Sequence, residues 1–208
     1  MTRPGQGEPR KILLTGPVGA YATIWARRFA RDQTLWLERE GEIRSVRHMA
    51  WLPESFGLTS PFRAPHHTVS LRGLSGSLEK GWRYRPGELH LAHGGVLFLD
   101  VANHFSRAAL ELVATAYAQR QLVLSSTGGS ITVPLTFSLV LYVSSCPCGN
   151  KGSRHAANEC RCTSEQFERH FEPVSQIARD AERIELTEEE THTLRVAVDR
   201  ADAIGDAL

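Results

Sequence analysis

The residues best suited to chemistry form the stretch GPVGAYAT, which begins at Gly16 between a predicted strand and a predicted helix. It stands where a phosphate-binding loop of the pattern G-x-x-x-x-G-K-[ST] would lie. Gly16 and Gly19 suit such a loop, and Thr23 matches its Mg²⁺-binding hydroxyl. However, Tyr21 and Ala22 occupy the places of the second glycine and of the lysine that neutralises phosphate charge. The stretch therefore predicts either weak residual binding of ATP and Mg²⁺ or an ordinary strand–turn–helix connection that binds nothing.

A carboxylate follows the most apolar run of the chain. The run GVLFL starts at Gly95 and is typical of a central parallel strand, and Asp100 comes directly after it. Because functional groups collect at the carboxyl ends of parallel strands, Asp100 stands where a functional residue would lie. The alternative is a polar residue that only ends a strand.

The chain's four cysteines are clustered with the spacing C-x-C-x₁₁-C-x-C, at Cys146, Cys148, Cys160 and Cys162. Because thiols stay reduced in the cytosol, this cluster indicates a metal site rather than disulfides. Four thiolates can close a tetrahedral Zn²⁺ site of the structural kind, with no open position for catalysis. His155 is an alternative ligand, and reduced free thiols are the alternative interpretation.

Periodicity and turn signals predict the elements that would position these residues. Strands are predicted at 11–15, 34–37, 88–92, 95–100 and 136–143, with a β-hairpin at 122–125 and 130–133. Helices are predicted at 22–31, 106–119 and 164–171. A last helix is predicted to start at Thr187, where Glu190 completes a capping box. Residues 53–87 read as a loop with short strand pieces.

Composition narrows the class of protein. The 208 residues carry a formal net charge of +1 and are 41% hydrophobic, which is ordinary for one soluble domain with a sizeable core. The near-neutral balance gives no sign of a polyanionic partner, and no apolar run approaches the roughly 20 residues of a membrane helix. The polar N-terminus has no signal-peptide pattern. These features predict a cytoplasmic protein with no membrane partner.

Longer motifs carry a family resemblance. RAPHHT begins at Arg63, RPGELHLAHGGVLFLD begins at Arg85, and CPCG and ECRCT flank the cysteine loop. With these motifs the chain resembles the magnesium-chelatase-like AAA+ ATPases of the ComM/YifB type. The resemblance implies an α/β AAA+ P-loop NTPase-like core with a central parallel sheet, a helix-2 insert and a pre-sensor β-hairpin. It divides the chain into a disordered N-terminus at 1–10, a core at 11–186 and, at 187–208, a C-terminal helix left from a truncated lid.

The resemblance also implies roles for single residues. Asp100 matches the Mg²⁺-holding aspartate, whereas Val101 stands where active relatives carry the glutamate that polarises the attacking water. Ser144 takes the place of the asparagine that senses the γ-phosphate. Arg183 matches an arginine finger that acts on the nucleotide of a neighbouring subunit. Since the missing lysine, glutamate and asparagine all serve one reaction, their joint loss predicts a pseudo-ATPase.

Relatives of this kind form hexameric rings, hydrolyse ATP and act on branched DNA, and these properties define the hypotheses about partners. The leading hypothesis is an assembly or regulatory partner of an active AAA+ relative, or a homo-oligomeric ring. One rival is a slow ATPase that uses Lys11 or Arg27 in place of the missing lysine. Another is a zinc-stabilised nucleic-acid-binding module.

DNA contact is predicted for an insert loop that interleaves cations with aromatic rings, a pattern that suits a nucleic-acid backbone and its bases. The residues concerned are Arg72, Lys80, Trp82, Arg83 and Arg85. The alternative interpretation is an exposed loop or a subunit interface.

Two histidine pairs are predicted to be structural rather than metal ligands. His66 and His67 are adjacent in an extended segment, where neighbouring side chains point to opposite faces. His90 and His93 receive the same interpretation.

Overall fold

A five-stranded sheet lies at the centre of the computed structural model, which describes residues 7–17, 21–34, 37–52, 60–79, 83–126, 129–151 and 159–187. Numbered along the chain, its strands are β1 (Lys11–Gly16), β2 (Phe62–Arg63), β5 (Val96–Leu99), β8 (Ser138–Ser144) and β9 (Glu182–Glu185). The strand order is β2-β5-β8-β1-β9, and every pairing in it is parallel. The strands predicted around positions 11, 95 and 136 are therefore confirmed as the middle of one sheet.

Burial alternates along the central strands and separates the two faces of the sheet. Ile12 and Leu14 pack toward helix α1 (Ala22–Asp32), whereas Leu13 between them packs toward helix α5 (Arg107–Gln119). Every residue of β8 is buried. Because successive side chains of a strand point to opposite faces, a sheet covered on both sides needs such continuous apolar strands. The core is thus a three-layer α/β sandwich.

Side-chain caps fix where two helices begin. The Ser106 hydroxyl accepts from the Ala109 N–H at 3.2 Å and starts α5. Helix α6 (Ser164–Phe171) has a full capping box, in which Thr163 and Gln166 each accept from the other's backbone N–H. These bonds satisfy N–H groups that have no partner inside the helix. No helix in the described part of the chain is both long enough and apolar enough to cross a bilayer.

The charged segment before position 50 forms helix α2 (Glu40–Met49), preceded by a 3₁₀ helix at Leu37–Arg39. The strand predicted at 34–37 is therefore wrong at Leu37, while positions 35 and 36 lie outside the described residues. Ile43 and Val46 are the buried residues of α2. Their spacing of three gives the segment an apolar side that suits a helix and not a strand.

An insert separates β2 from β5. It consists of helix α3 (Leu71–Ser75), the antiparallel strands β3 (Gly76–Leu78) and β4 (Tyr84–Pro86), and helix α4 (Glu88–Leu91). The strand predicted at 88–92 is wrong, because the N–H groups of Leu91 and Ala92 donate to the carbonyls of Gly87 and Glu88 in a helical turn. Apolar and polar residues alternate in ELHL, but four residues are too few for a helical period to be recognised.

The predicted β-hairpin is confirmed, with β6 (Gln121–Ser126) pairing antiparallel to β7 (Gly129–Pro134). Several other predictions fall on positions that the structure does not describe. These are the start of the N-terminus at 1–6, the last helix beyond 187, and Gly19, Lys80, Trp82 and His155.

Gly95 offers a test of how tightly β5 is held. A Cβ at this position would lie 1.9 Å from the Pro61 carbonyl oxygen, which accepts from the Val96 N–H at 2.8 Å. We expect Gly95→Ala to push these backbones apart and to destabilise the fold by about 1–3 kcal/mol. In the control Gly41→Ala, on α2, nothing lies within 4 Å of the added Cβ, and helix propensity favours alanine by about 0.5–1 kcal/mol. Thermal unfolding should show opposite shifts, and an unchanged Tm for Gly95→Ala would contradict the prediction.

Candidate functional site

Three adjacent strands end together and form the candidate site. Gly16 at the end of β1 pairs with Ser144 at the end of β8, and Asp100 directly follows β5 on the other side of β8. We call this end of the sheet, together with the start of α1 and the residues that directly follow β1, β5 and β8, the carboxyl edge. Asp100 is exposed at this edge, but the protein around its carboxyl still excludes some water, and this desolvation raises the pKa of Asp100. The hydrogen bond from the Val101 N–H opposes the shift. The parallel sheet thus brings the start of the loop and the candidate Mg²⁺ ligand to one place.

Helix α1 presents no cationic side chain where the missing lysine would stand. Its first residue, Ala22, is 2% exposed and packs among the apolar side chains of β1 and β5. Thr23 follows it and is half-buried, and Tyr21 at the N-cap makes no side-chain hydrogen bond to the helix. An anion at this helix start would meet backbone N–H groups and the helix dipole, but no lysine.

Neither cation considered as a substitute for the lysine lies at the carboxyl edge. Lys11 begins β1 at its opposite end, about 16 Å from Gly16 at the rise of a strand. Its Nζ lies 5.4 Å from the centre of the Tyr117 ring. The Arg27 guanidinium lies 4.7 Å from the centre of the Phe62 ring. The geometry therefore gives no support to an ATPase that uses either residue.

Val101 holds the position of the expected glutamate in a strained conformation. Its φ of 51° and ψ of 55° are left-handed, which costs a β-branched residue about 1–2 kcal/mol. Its side chain has no group that could accept a proton from water. A 3₁₀ helix at Ala102–His104 follows directly. The carboxyl edge therefore keeps its aspartate without a base at the next position.

The hydroxyl expected to sense a phosphate is engaged within the protein. Ser144 Oγ donates to the Cys146 carbonyl at 3.0 Å and lies 3.0 Å from His170 Nε2. That nitrogen also lies 2.9 Å from the Ser144 carbonyl oxygen, so we assign the ring proton to it. On the far side of the ring, Asn103 Nδ2 lies 3.2 Å from His170 Nδ1. Ser144 is therefore part of a hydrogen-bonded chain that runs from Cys146 to Asn103.

Sequence reasoning missed three polar residues at this edge. Tyr142 donates its buried hydroxyl to the Pro17 carbonyl at 2.9 Å and so fixes the first residues of the loop. Burial, and then the negative charge of Asp100, raise the pKa of Tyr142 to about 12. Its only available signal was a hydroxyl in the apolar middle of β8. Asn103 and His170 gave none, since 67 residues separate them.

The four cysteines come together as predicted. Their Sγ atoms all lie within 4.8 Å of one another, and Cys146 is buried while the other three are exposed or half-buried. The Lys151 N–H donates to Cys146 Sγ at 3.2 Å. The Asn150 N–H, followed by the neighbouring thiols, lowers the pKa of Cys148 to about 7. This group of thiols could hold a metal ion.

One expectation about the first histidine pair is wrong. The rings of His66 and His67 do not point to opposite faces, since their centres lie 4.1 Å apart. The reason is that the chain turns at 67–68 and does not remain extended. His66 Nδ1 lies 2.8 Å from Thr68 Oγ1 within this turn.

The second histidine pair is buried and hydrogen-bonded, as a structural role requires. His93 Nδ1 accepts from the Thr136 N–H at 3.1 Å, and its Nε2 lies 2.6 Å from a Glu42 carboxylate oxygen. His90 Nδ1 lies 3.0 Å from the Tyr84 hydroxyl, and burial lowers the pKa of His90 to about 4. These bonds join α4 and the turn that follows it to β4, to α2 and to the segment before β8.

Comparison with known proteins identifies the family. Residues 7–195 match the family described as magnesium chelatase, subunit ChlI. The chain belongs to this family. Its match covers the sheet, the insert, the hairpin and the cysteine cluster, and the fold is an α/β AAA+ P-loop NTPase-like core.

Curated relatives of this magnesium-chelatase-like chain are of the ComM/YifB type. YifB of Escherichia coli is 39% identical over 168 residues, which are 79% of this chain and 32% of YifB. The competence protein ComM of Haemophilus influenzae is 33% identical over 167 residues, covering 79% of this chain and 31% of ComM. The chain spans about a third of the length of these relatives. A solved structure of NtrX from Brucella abortus, in complex with ATP, also matches this chain. The match covers 86% of this chain and 33% of the NtrX chain, with 17% sequence identity and a TM-score of 0.49.

The insert of this magnesium-chelatase-like domain carries the cations predicted to contact DNA. Arg72 and Arg85 both approach Glu79, at 3.9 Å and 3.1 Å. The Arg83 guanidinium lies 5.7 Å from the ring of Trp51, which is 82% exposed. One carboxylate thus offsets part of the positive charge, and contact with DNA stays a prediction.

The predicted arginine finger lies apart from the carboxyl edge of its own chain. Arg183 is exposed on the edge strand β9, opposite Leu13 of β1, which is about 10 Å along the strand from Gly16. Its neighbour Glu182 is paired with Arg10. A finger at this position would have to act on another molecule.

Proposed function

We propose that this chain is a AAA+ domain of the magnesium chelatase family that no longer hydrolyses ATP efficiently and acts as an assembly or regulatory partner of an active relative. The carboxyl edge carries the proposal. It keeps Asp100 and Thr23, but Ala22 is packed into the core and Val101 has no proton acceptor. Phosphoryl transfer depends almost wholly on positioning and charge stabilisation, so the edge lacks what the reaction needs most.

The internal bonds of the edge add to this argument. In an active site, a sensing side chain must be free to exchange its hydrogen bond for one to phosphate. The Ser144 hydroxyl already donates to the Cys146 carbonyl and meets His170. Breaking such a bond costs roughly 0.5–1.5 kcal/mol before anything is gained from a nucleotide. Weak binding of ATP with Mg²⁺ on Asp100 and Thr23 is compatible with this edge, whereas rapid turnover is not.

A hydrolysis assay tests the loss of activity. We expect the purified chain, given ATP and Mg²⁺, to release no more phosphate than its Asp100→Asn variant. The missing general base alone removes about 10²–10⁴-fold in rate. Phosphate release by the wild type that Asp100→Asn abolishes would favour the slow ATPase and overturn the proposal.

Partnership would depend on Arg183, which is exposed on β9. An arginine supplied in trans to a neighbour's nucleotide can raise its hydrolysis by about 10³–10⁵-fold. We expect this chain to change the ATPase rate of an intact AAA+ relative from the same cell, and Arg183→Ala to abolish the change while the two proteins still bind. No association at micromolar concentration would exclude the partner role. Equal effects of wild type and Arg183→Ala would exclude the finger.

We also propose that the four cysteines hold a structural Zn²⁺. A tetrahedral zinc with four thiolates places its sulfurs about 3.8 Å apart, and the Sγ atoms here already lie within 4.8 Å of one another. Soft thiolate donors suit zinc, and the N–H donated to Cys146 Sγ by Lys151 suits a sulfur that carries negative charge. Such an ion would cross-link the two ends of the loop and contribute to folding.

Metal analysis tests the zinc proposal. Protein purified without chelators should contain about one zinc per chain, and chelation should lower its Tm, because metal binding is linked to folding. The Cys148→Ser variant should lose the metal, whereas Ser153→Ala in the same loop should keep it. Absence of zinc together with four freely titratable thiols would contradict the proposal.

A further inference from the structure

Helix α6 joins the cysteine cluster to the carboxyl edge. It begins at Ser164, directly after the cap Thr163 and the cluster residue Cys162, and it ends at Phe171. Its eight residues span about 12 Å. One end of this short helix is therefore attached to the thiols, and the other end carries His170 to Ser144.

A second contact ties the cysteine loop to the same helix. The Lys151 Nζ lies 4.6 Å from the centre of the Phe167 ring on α6, while the Lys151 N–H donates to Cys146 Sγ. Lys151 thus touches both the buried thiol and the middle of the helix. Displacing the loop would disturb the packing of α6 as well as its start.

Cys146 belongs to the cluster and to the edge at once. Its Sγ is one of the four grouped sulfurs, and its carbonyl accepts from Ser144 Oγ at 3.0 Å. His170 approaches the same serine at both Oγ and the carbonyl oxygen. The cluster therefore reaches Ser144 by two routes, through the Cys146 backbone and through α6.

One atom of this chain of bonds has no partner in the described residues. Asn103 Oδ1 is buried and accepts no hydrogen bond, although the amide nitrogen of the same side chain meets His170 Nδ1. Asn103 lies in the 3₁₀ helix that follows Asp100. Its bond to His170 thus links α6 to the segment that carries the candidate Mg²⁺ ligand.

We propose that His170 is a positioning residue through which metal held by the four cysteines fixes Ser144 and Asn103 at the carboxyl edge. This inference rests on the zinc proposal above and goes beyond it. A bound ion would hold the start of α6 and the Cys146 backbone in one arrangement, and His170 would then hold Ser144 and Asn103. By linkage, if bound metal strengthens the His170 contacts by some factor, then forming these contacts strengthens metal binding by the same factor, so their removal should weaken it.

Zinc affinity of the full chain measures this coupling. In competition with a chromogenic chelator, His170→Gln should bind zinc about tenfold more weakly than wild type, within the range of 5–150-fold usual for coupled sites. Glu168→Gln, on an exposed position of the same helix, is the matched control and should bind zinc as wild type does. Ser144→Ala should weaken zinc binding too. The fold loss of zinc affinity in the double variant should be smaller than the product of the two single losses, because the two side chains share one network.

A spectroscopic signal reports on His170 directly. In protein labelled with ¹⁵N at histidine, the His170 Nε2–H should exchange slowly with solvent when zinc is bound and rapidly after chelation. His170→Gln assigns the signal by its disappearance. This exchange rate reports on the ring itself, and chelation would not change it if α6 were held by its own packing alone.

The outcomes separate this inference from the zinc proposal. A chain without zinc overturns both. A chain that binds zinc, but with equal affinity in wild type and a folded His170→Gln variant, overturns the coupling and leaves the zinc site standing. Unchanged exchange of the His170 proton after chelation would overturn it as well. If chelation unfolds the chain, the affinities decide, since they are measured on the folded, zinc-bound protein.

Discussion

Parallel pairing of β1, β5 and β8 is the constraint on which the rest of the molecule depends. These strands are covered on both faces, so their backbone groups find their partners in neighbouring strands of the sheet. The register that satisfies them sets Gly16 beside Ser144 and leaves Asp100 at the same edge. The position of every candidate site residue at this edge thus follows from backbone hydrogen bonding and burial, whether or not the edge still carries out chemistry.

The polar groups of the carboxyl edge are directed mostly toward the protein. Tyr142 donates to Pro17, and Ser144 donates to Cys146, while Ala22, the first residue of α1, packs against apolar side chains of the sheet. An enzyme that stabilises phosphate charge needs donors that remain unpaired until the nucleotide arrives. Here the donors hold the loop and the strand ends within the AAA+ fold. The surrounding structure also holds Val101 in its strained, left-handed backbone conformation.

The cysteine loop has a structural part in this frame. It connects the end of β8 to α6, and both of its ends approach the carboxyl edge. The grouped thiols bring the two ends of this segment together, and Thr163 caps the helix that follows it. This explains how a histidine on α6 comes to contact a serine 26 residues earlier in the chain.

The amino-acid sequence was enough to predict the central strands, helices α1, α5 and α6, the hairpin and the family, because each depends on local periodicity, turn residues or a long motif. It also placed Asp100 at a strand end and grouped the cysteines by their spacing. It could not recognise the helical turn at 88–91, since four residues do not show a period, nor the contact between the rings of His66 and His67, which a turn creates. Only the tertiary structure brought together Asn103, His170 and Ser144, and showed that Ala22 is buried. The reason is physical: contacts between side chains far apart in the chain are decided by how the layers pack, and no local pattern of residues records that packing.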